Sequence, residues 1–267
     1  MLTGAKNLFR FLKMNIKCNL LAAMEYKKSF LIQSIFMFIN NAFFLVFWFI
    51  VFDVNEGSVN GIEMNDILYL WSLPTMAYGI AYFVFGGVYN LGKYLIEGTL
   101  DTFLVQPKNI ILNVATSQSS FSAFGDLVYG MVIGMFAVQG DVLKYLLLLV
   151  ISIIASVFYV CTETIIRLLA VWIGNTDNID HVYTNSLLIN FSTYPEAIYG
   201  SFTKFLIYTV IPSAYIAFIP IKFITTLNFS YLAILIAVAA VYIGMTVLIC
   251  QKALKRYESG NGIGLRG

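Results

Sequence analysis

The chain has 267 residues, 60% of them hydrophobic and only 11% charged, with a mean hydropathy of +0.82; a soluble domain carries roughly 25% charged residues, so a water-soluble enzyme or binding module is excluded. Several apolar runs exceed the roughly 18 residues that cross about 30 Å of hydrocarbon, which makes this an integral membrane protein, predicted as an all-α membrane protein with a six-helix transmembrane bundle. The net charge of +2 is spread over the flanks of those runs and marks no nucleic-acid surface.

Residues 1–28 place Lys6, Arg10, Lys13 and Lys17 at intervals of four, three and four, on one face of a helix, with Leu8, Phe9, Leu12, Ile16 and Leu20 on the other side. This pattern predicts an amphipathic helix lying in the membrane interface, its cations toward anionic headgroups. Lys27 and Lys28 mark the cytoplasmic start of the first span. The first apolar run is too long for the core of a cleavable signal peptide and is expected to remain as an anchor.

Hydropathy predicts spans at about 29–52, 67–91, 116–138, 142–172 and 230–251, with a less regular embedded region at about 182–224. The loop after the first span holds Asp53, Glu56, Glu63 and Asp66 and no basic residue, whereas the N-terminus, the loop with Lys93 and Lys108 and the tail at 252–267 are basic. Positive-inside bias therefore predicts both termini in the cytoplasm of a multi-pass cell-membrane protein. Lys144 is the exception.

Between the second and third spans lies Glu97-Gly98-Thr99-Leu100-Asp101-Thr102-Phe103-Leu104-Val105-Gln106-Pro107. Gly98 breaks the preceding helix, Thr99 and Asp101 can cap a new one, and Pro107 stops it, leaving about two turns, roughly 12 Å. Leu100, Phe103 and Leu104 fall on one face, a ridge suited either to a groove in another protein or to the lipid surface.

Asp126, in the third span, faces a polar interior or sits near the cytoplasmic end. Gly130 and Gly134 form a G-x-x-x-G that permits close helix approach. The fourth span is longer than a bilayer requires, so Glu163 and Arg167 are expected at or beyond the cytoplasmic surface, paired four residues apart as a structural ion pair. The region 182–224 has two readings. Phe205 to Ile221, bracketed by Lys204 and Lys222, is a crossing interrupted by Pro212 and Pro220; or 182–195 crosses, Pro195 ends that helix at the outer surface, and the stretch after it dips back as re-entrant helices.

Chemistry-bearing motifs are scarce. No G-x-x-x-x-G-K-[ST] occurs, so any ATP must be bound by another chain. His181, in a short turn beside Asp177 and Asp180, reads as a solvated loop histidine, and the tail glycines 260, 262 and 264 as flexible chain. Cys18, Cys161 and Cys250 lack metal or disulfide spacing and read as small hydrophobes. No catalytic or metal site is expected.

The order of these features resembles the membrane subunits of bacterial type-2 ABC exporters, the permeases described as ABC-2 family transporter proteins. The residues that carry the resemblance are Glu97-Gly98-Thr99-Leu100-Asp101 with Gln106-Pro107, Phe191-Ser192-Thr193-Tyr194-Pro195 with Ile198-Tyr199, the paired Ile211-Pro212 and Ile219-Pro220, and Lys255-Arg256-Tyr257-Glu258-Ser259. The likeness covers nearly the full length. It implies that about 97–107 is a coupling helix docking into an ATPase subunit, with Leu100, Phe103 and Leu104 in the contact and Glu97 and Asp101 facing basic residues at its rim. It implies external re-entrant helices at about 196–224, marked by Pro195, Pro212 and Pro220. The implied partners are two copies of an ABC ATPase, which carry ATP and Mg, and a second permease subunit, the same or a related chain; this chain binds no cofactor. The family commonly carries arginine where this chain has Gln106 and Thr193, a departure that suits one member of a diverged pair. The implied mechanism is alternating access, and the reading from another class is a channel or scaffold subunit without ATP coupling. Asn40, Asn41, Tyr78 and Tyr82 without a charged cluster favour an amphipathic or lipid-like cargo over a small ion.

Overall fold

The computed structural model describes residues 2–55, 58–59, 61–106 and 109–257, with side chains from residue 10 onward except that of Val59. The Lys6 side chain, Pro107 and the tail beyond Tyr257 lie outside the described residues. Helix α1 (Leu2–Glu25) exposes Arg10, Lys13 and Lys17 while Leu12 and Ile16 are half-buried. Its position is set by polar contacts: Asn15 Nδ2 donates to Thr116 Oγ1 at 2.7 Å and Asn19 Nδ2 to the Thr116 carbonyl at 3.2 Å. Tyr26 alone separates it from α2 (Lys27–Val54).

The acidic loop after α2 contains a short antiparallel hairpin, β1 (Ser58–Val59) with β2 (Ile62–Glu63), Ser58 opposite Glu63. Glu63 and Asp66 then form a reciprocal capping box at the start of α3 (Met64–Phe85), the Glu63 N–H donating to Asp66 Oδ2 at 3.0 Å. After a 3-10 turn at Gly86–Asn90, the chain continues as α4 (Leu91–Ile96), the single turn α5 (Asp101–Leu104) and α6 (Ile110–Ala115).

The third span is shorter than hydropathy drew it. Residues 117–121 are not helical, and α7 (Ser122–Ala137) has 16 residues, about 24 Å at 1.5 Å per residue. Within this link the Ser117 hydroxyl turns back to the Val114 carbonyl at 2.7 Å, and the Ser120 backbone N–H crosses to the Tyr82 carbonyl of α3 at 3.0 Å. Helix α7 lies closely on α3 because Gly79 and Gly130 carry no Cβ; one added there would stand 2.5 Å from Leu127 N and 2.7 Å from Met76 N. The exceptional Lys144 opens α8 (Val142–Leu168) beside Asp141, 3.8 Å away, whose carboxylate also caps the helix.

The chain then runs through α9 (Ala170–Ile173), α10 (Asp177–Asp180), a π-helical stretch at His181–Leu188 and α11 (Ile189–Thr193). His181 is thus exposed on a helix, where the sequence placed it in a loop. Pro195 leads into a 3-10 turn at Glu196–Ile198, followed by α12 (Ser201–Thr209), α13 (Ser213–Ile216), α14 (Phe218–Thr226) and α15 (Phe229–Arg256).

Among the described residues, four helical stretches are long and apolar enough to cross a membrane: Lys27–Val54, Met64–Ile96, Val142–Ile173 and Phe229–Arg256. A fifth arises if Ser201–Thr209 and Ser213–Thr226, bent by 70°, are counted together. The second of the four is the centre of the molecule, 72% buried across its apolar window, whereas α2 and α15 are 22% and 17% buried and present their apolar sides outward. Such faces suit lipid or another helical subunit.

Candidate functional site

Three places in this frame carry polar chemistry or an apolar projection. The first is the segment after α4. Gly98 adopts φ +72°, a left-handed conformation that glycine takes without strain, and the Leu100 N–H returns to the Tyr94 carbonyl at 3.2 Å. The helix that follows is one turn, where the sequence predicted about two, and neither Thr99 nor Asp101 caps it; Leu100 is its N-terminal neighbour and Thr102 Oγ1 donates back to the Thr99 carbonyl at 2.9 Å.

The apolar ridge divides. Leu100 is 1% exposed, buried among Leu91, Leu95, Val114, Leu168 and Ala253 of this same chain. Phe103 rests on Tyr94, ring centroids 5.2 Å apart. The apolar side chains left outside are Leu104, 38% exposed, and Val105, 82% exposed. Gln106 secures the far end by accepting from Asn113 Nδ2 of α6 at 2.9 Å, and Tyr257, after α15, lies beside Asp101. Lys93 and Glu97, 3.9 Å apart and exposed, border a polar cleft of about 340 Å³ completed by Tyr89, Thr176 and Asp177.

The second place is a buried ion cluster. Glu163 and Arg167 are paired as their spacing predicts, and both are covered by the protein: Glu163 is fully buried and Arg167 7% exposed. Arg167 Nε donates to Glu163 Oε1 at 2.8 Å, one terminal nitrogen donates to Asp177, and the other to Asp180 Oδ2 at 2.8 Å. The planar guanidinium fork suits several carboxylates at once. Its carbon stands 5.8 Å from the ring centre of Tyr89, which belongs to the turn feeding α4. Tyr82 donates to Glu163 Oε2 at 3.4 Å and stacks on Tyr89. Arg167 therefore ties the end of α8, the start of α10 and the root of the 97–106 segment into one body. Asp177 and Asp180 were missed as its partners; the available signal was their spacing of three, which aligns them if the turn is helical.

The third is a cavity of about 280 Å³ between α2, α3, α7, α8 and the 185–193 stretch, lined by Asn40, Asn41, Tyr78, Asp126, Tyr159 and Asn185 with Trp71, Phe44 and Thr193. Asp126 is 2% exposed, and Asn41 Nδ2 donates to its Oδ1 at 2.6 Å. Pro74, inside α3, also borders it and removes a backbone donor there.

Around the bend that follows, Pro195 ends α11, Pro212 sits in the break before α13, and Pro220 lies in the first turn of α14, where a missing N–H is tolerated. Tyr194 packs its ring against Phe44 and Trp48. Tyr183 donates to the Val210 carbonyl at the break. Lys222 Nζ donates to Glu196 Oε2 at 2.8 Å and Tyr208 to Glu196 Oε1 at 2.9 Å, so α14 returns to the turn after Pro195. Burial opposes the charge on Glu196, but the bonds from Lys222 and Tyr208 outweigh it and hold the carboxyl below the usual glutamate range.

The sequence model of the family described as ABC-2 family transporter protein matches residues 38–261. No curated protein and no solved structure matches the chain.

Proposed function

We propose, from the premise that this chain belongs to the ABC-2 family transporter proteins and is a membrane permease of an ABC transporter, that it exports its cargo by coupling to a separate ATPase through residues 97–106. The observation that carries this reading is the division of that segment: Leu100 is anchored in the chain's own core while Leu104 and Val105 stand outside it. A contact built this way moves as one piece with the spans it is packed on, which is what transmission of an ATPase movement requires. The sequence itself holds no phosphate-binding loop, so ATP and Mg belong to the partner. Two permease subunits, this chain with itself or a related one, and two ATPase subunits make the working unit, with α1 on the cytoplasmic headgroups and both termini in the cytoplasm of the cell membrane. Glu97 and Asp101 face basic residues at the rim of the ATPase groove.

Affinity purification of the permease from its native membrane in mild detergent, followed by mass spectrometry, tests the assignment. An ABC ATPase is expected at a ratio of one per permease chain. Recovery of an intact, conducting assembly without one would make the chain a channel or scaffold subunit.

In the same proposal the chain crosses six times. The run 177–193 is a crossing that ends at Pro195, and α12 to α14 form a re-entrant pair at the outer face. The Lys222 to Glu196 bond supports this, because a straight crossing from Phe205 to Ile221 would carry Lys222 roughly 25 Å from Phe205 at 1.5 Å per residue, away from the turn that holds Glu196. Single cysteines at 204 and 222, in a background lacking Cys18, Cys161 and Cys250, are expected to react with a membrane-impermeant thiol reagent in intact cells. Reaction at 222 with protection at 204 would make the stretch an ordinary crossing.

A further inference from the structure

We infer that the cavity at Asp126 binds the protonated amine of an amphipathic molecule, with the Asp126 carboxylate as its counter-charge and the rings of Trp71, Phe44 and Tyr78 around its apolar part. Calling that molecule the transported cargo rests on the permease reading above; the binding itself does not.

The argument begins with an imbalance. Asp126 is buried, Asn41 satisfies one of its oxygens, and Oδ2 has no hydrogen-bond partner among the described residues. No ion pair among the described residues includes it. The remaining polar lining, Asn40, Asn185, Asn190, Thr75, Thr193 and the tyrosines, is uncharged, and no lysine or arginine borders the space. A carboxylate left this way within apolar helices is costly, and an arriving cation removes that cost while supplying the missing donor.

The same walls exclude other ligand classes. An anion would meet Asp126 with no compensating base. A bare inorganic cation would find one carboxylate and scattered amides instead of a closed oxygen cage, and no cluster of three metal-ligating side chains occurs among the described residues. An organic ammonium gains twice, from the carboxylate and from the ring faces; Phe44 and Trp71 lie 4.3 Å apart between centroids and form an apolar wall beside Pro74. The volume of about 280 Å³ fits a small aromatic or aliphatic body.

The test uses the permease alone in phosphatidylcholine nanodiscs, so that ATPase coupling plays no part in the outcome. The chain has three tryptophans; Trp48→Phe and Trp172→Phe leave Trp71 as a fluorescent reporter inside the cavity. Phenethylamine, protonated at neutral pH, is titrated against 2-phenylethanol, which has the same body and a neutral donor. Saturable quenching by the amine is expected, with affinity at least about tenfold above that of the alcohol and reduced at least about tenfold by Asp126→Asn. Equal affinities for amine and alcohol in the parent protein would overturn the inference, a comparison that stands even if Asp126→Asn fails to fold. Undiminished amine binding in a folded Asp126→Asn protein would also overturn it. If the affinity purification described above recovers no ATPase while the amine still binds here, the proposed ATP-coupled export fails and the binding site stands.

Discussion

Replacing Arg167 with methionine is expected to destabilise the permease by about 3–5 kcal/mol, the largest single effect of any substitution considered. Methionine fills much of the volume of the arginine stem, so packing is not the main loss. What remains is Glu163, fully buried, and Asp180, 5% exposed in its side chain, with their common cation gone. Arg167→Lys is expected to recover part of the loss, since one ammonium cannot reach three carboxylates in the fixed geometry of a guanidinium. Thermal unfolding in detergent, followed by size-exclusion of the remaining monodisperse protein, measures it. The triple variant with Glu163→Gln and Asp180→Asn is expected to regain stability relative to Arg167→Met, because the penalty is that of uncompensated charge. If the triple variant were less stable than the single one, the cluster would owe its contribution to hydrogen bonding and not to charge balance.

The second large effect separates two neighbouring leucines. Leu104→Asp is expected to leave the folded permease intact and weaken ATPase association by roughly thirtyfold or more, the magnitude of a central apolar contact replaced by a desolvated charge. Leu100→Asp is expected to do something different: its carboxylate would enter the core formed with Leu95, Val114 and Ala253, so thermal stability falls before any question of partner binding arises. Thermal stability and ATPase pull-down, measured on both variants, check the contrast. Unfolding by Leu104→Asp, or loss of the ATPase in a stable Leu100→Asp permease, would reverse the orientation assigned to the segment.

That contrast also shows where sequence reading stops. The spacing of Leu100, Phe103 and Leu104 predicts one apolar ridge, but amphipathicity does not say which body covers each member of it. The fold covers Leu100 and leaves Leu104 and Val105, a division decided by Leu95 and Val114, which lie on other elements. The four long apolar helices were legible because hydropathy alone makes them. The start of α7 was not, because averaging over 116–138 passes across Ser117, whose hydroxyl returns to the Val114 carbonyl, and Ser120, whose N–H leaves the helical ladder for Tyr82 of α3.

Arg167 is legible with Glu163 by the four-residue rule, but its enclosure is not: Asp177, Asp180 and Tyr89, which surround it, come from other elements. The Asp126 cavity was legible only in parts, as a lone acid and, separately, Asn40, Asn41 and Tyr78. Its walls come from α2, α3, α7, α8 and the 185–193 stretch, and no periodicity within one element reports such a meeting. Pro195 and Pro212 stand at breaks while Pro220 lies within the first turn of α14, and the return of Lys222 to Glu196 required the folded geometry.

The central claim is that Leu104 and Val105 touch a separate ATPase. Placing a photo-crosslinking residue at 105, the most exposed of the apolar side chains in the segment, and irradiating native membranes measures this directly. A crosslinked product containing an ABC ATPase subunit is the predicted result, abolished when Leu104 is also replaced by aspartate. Crosslinking only to lipid, in membranes where an ATPase still copurifies with the permease, would contradict the account and return the segment to the bilayer surface.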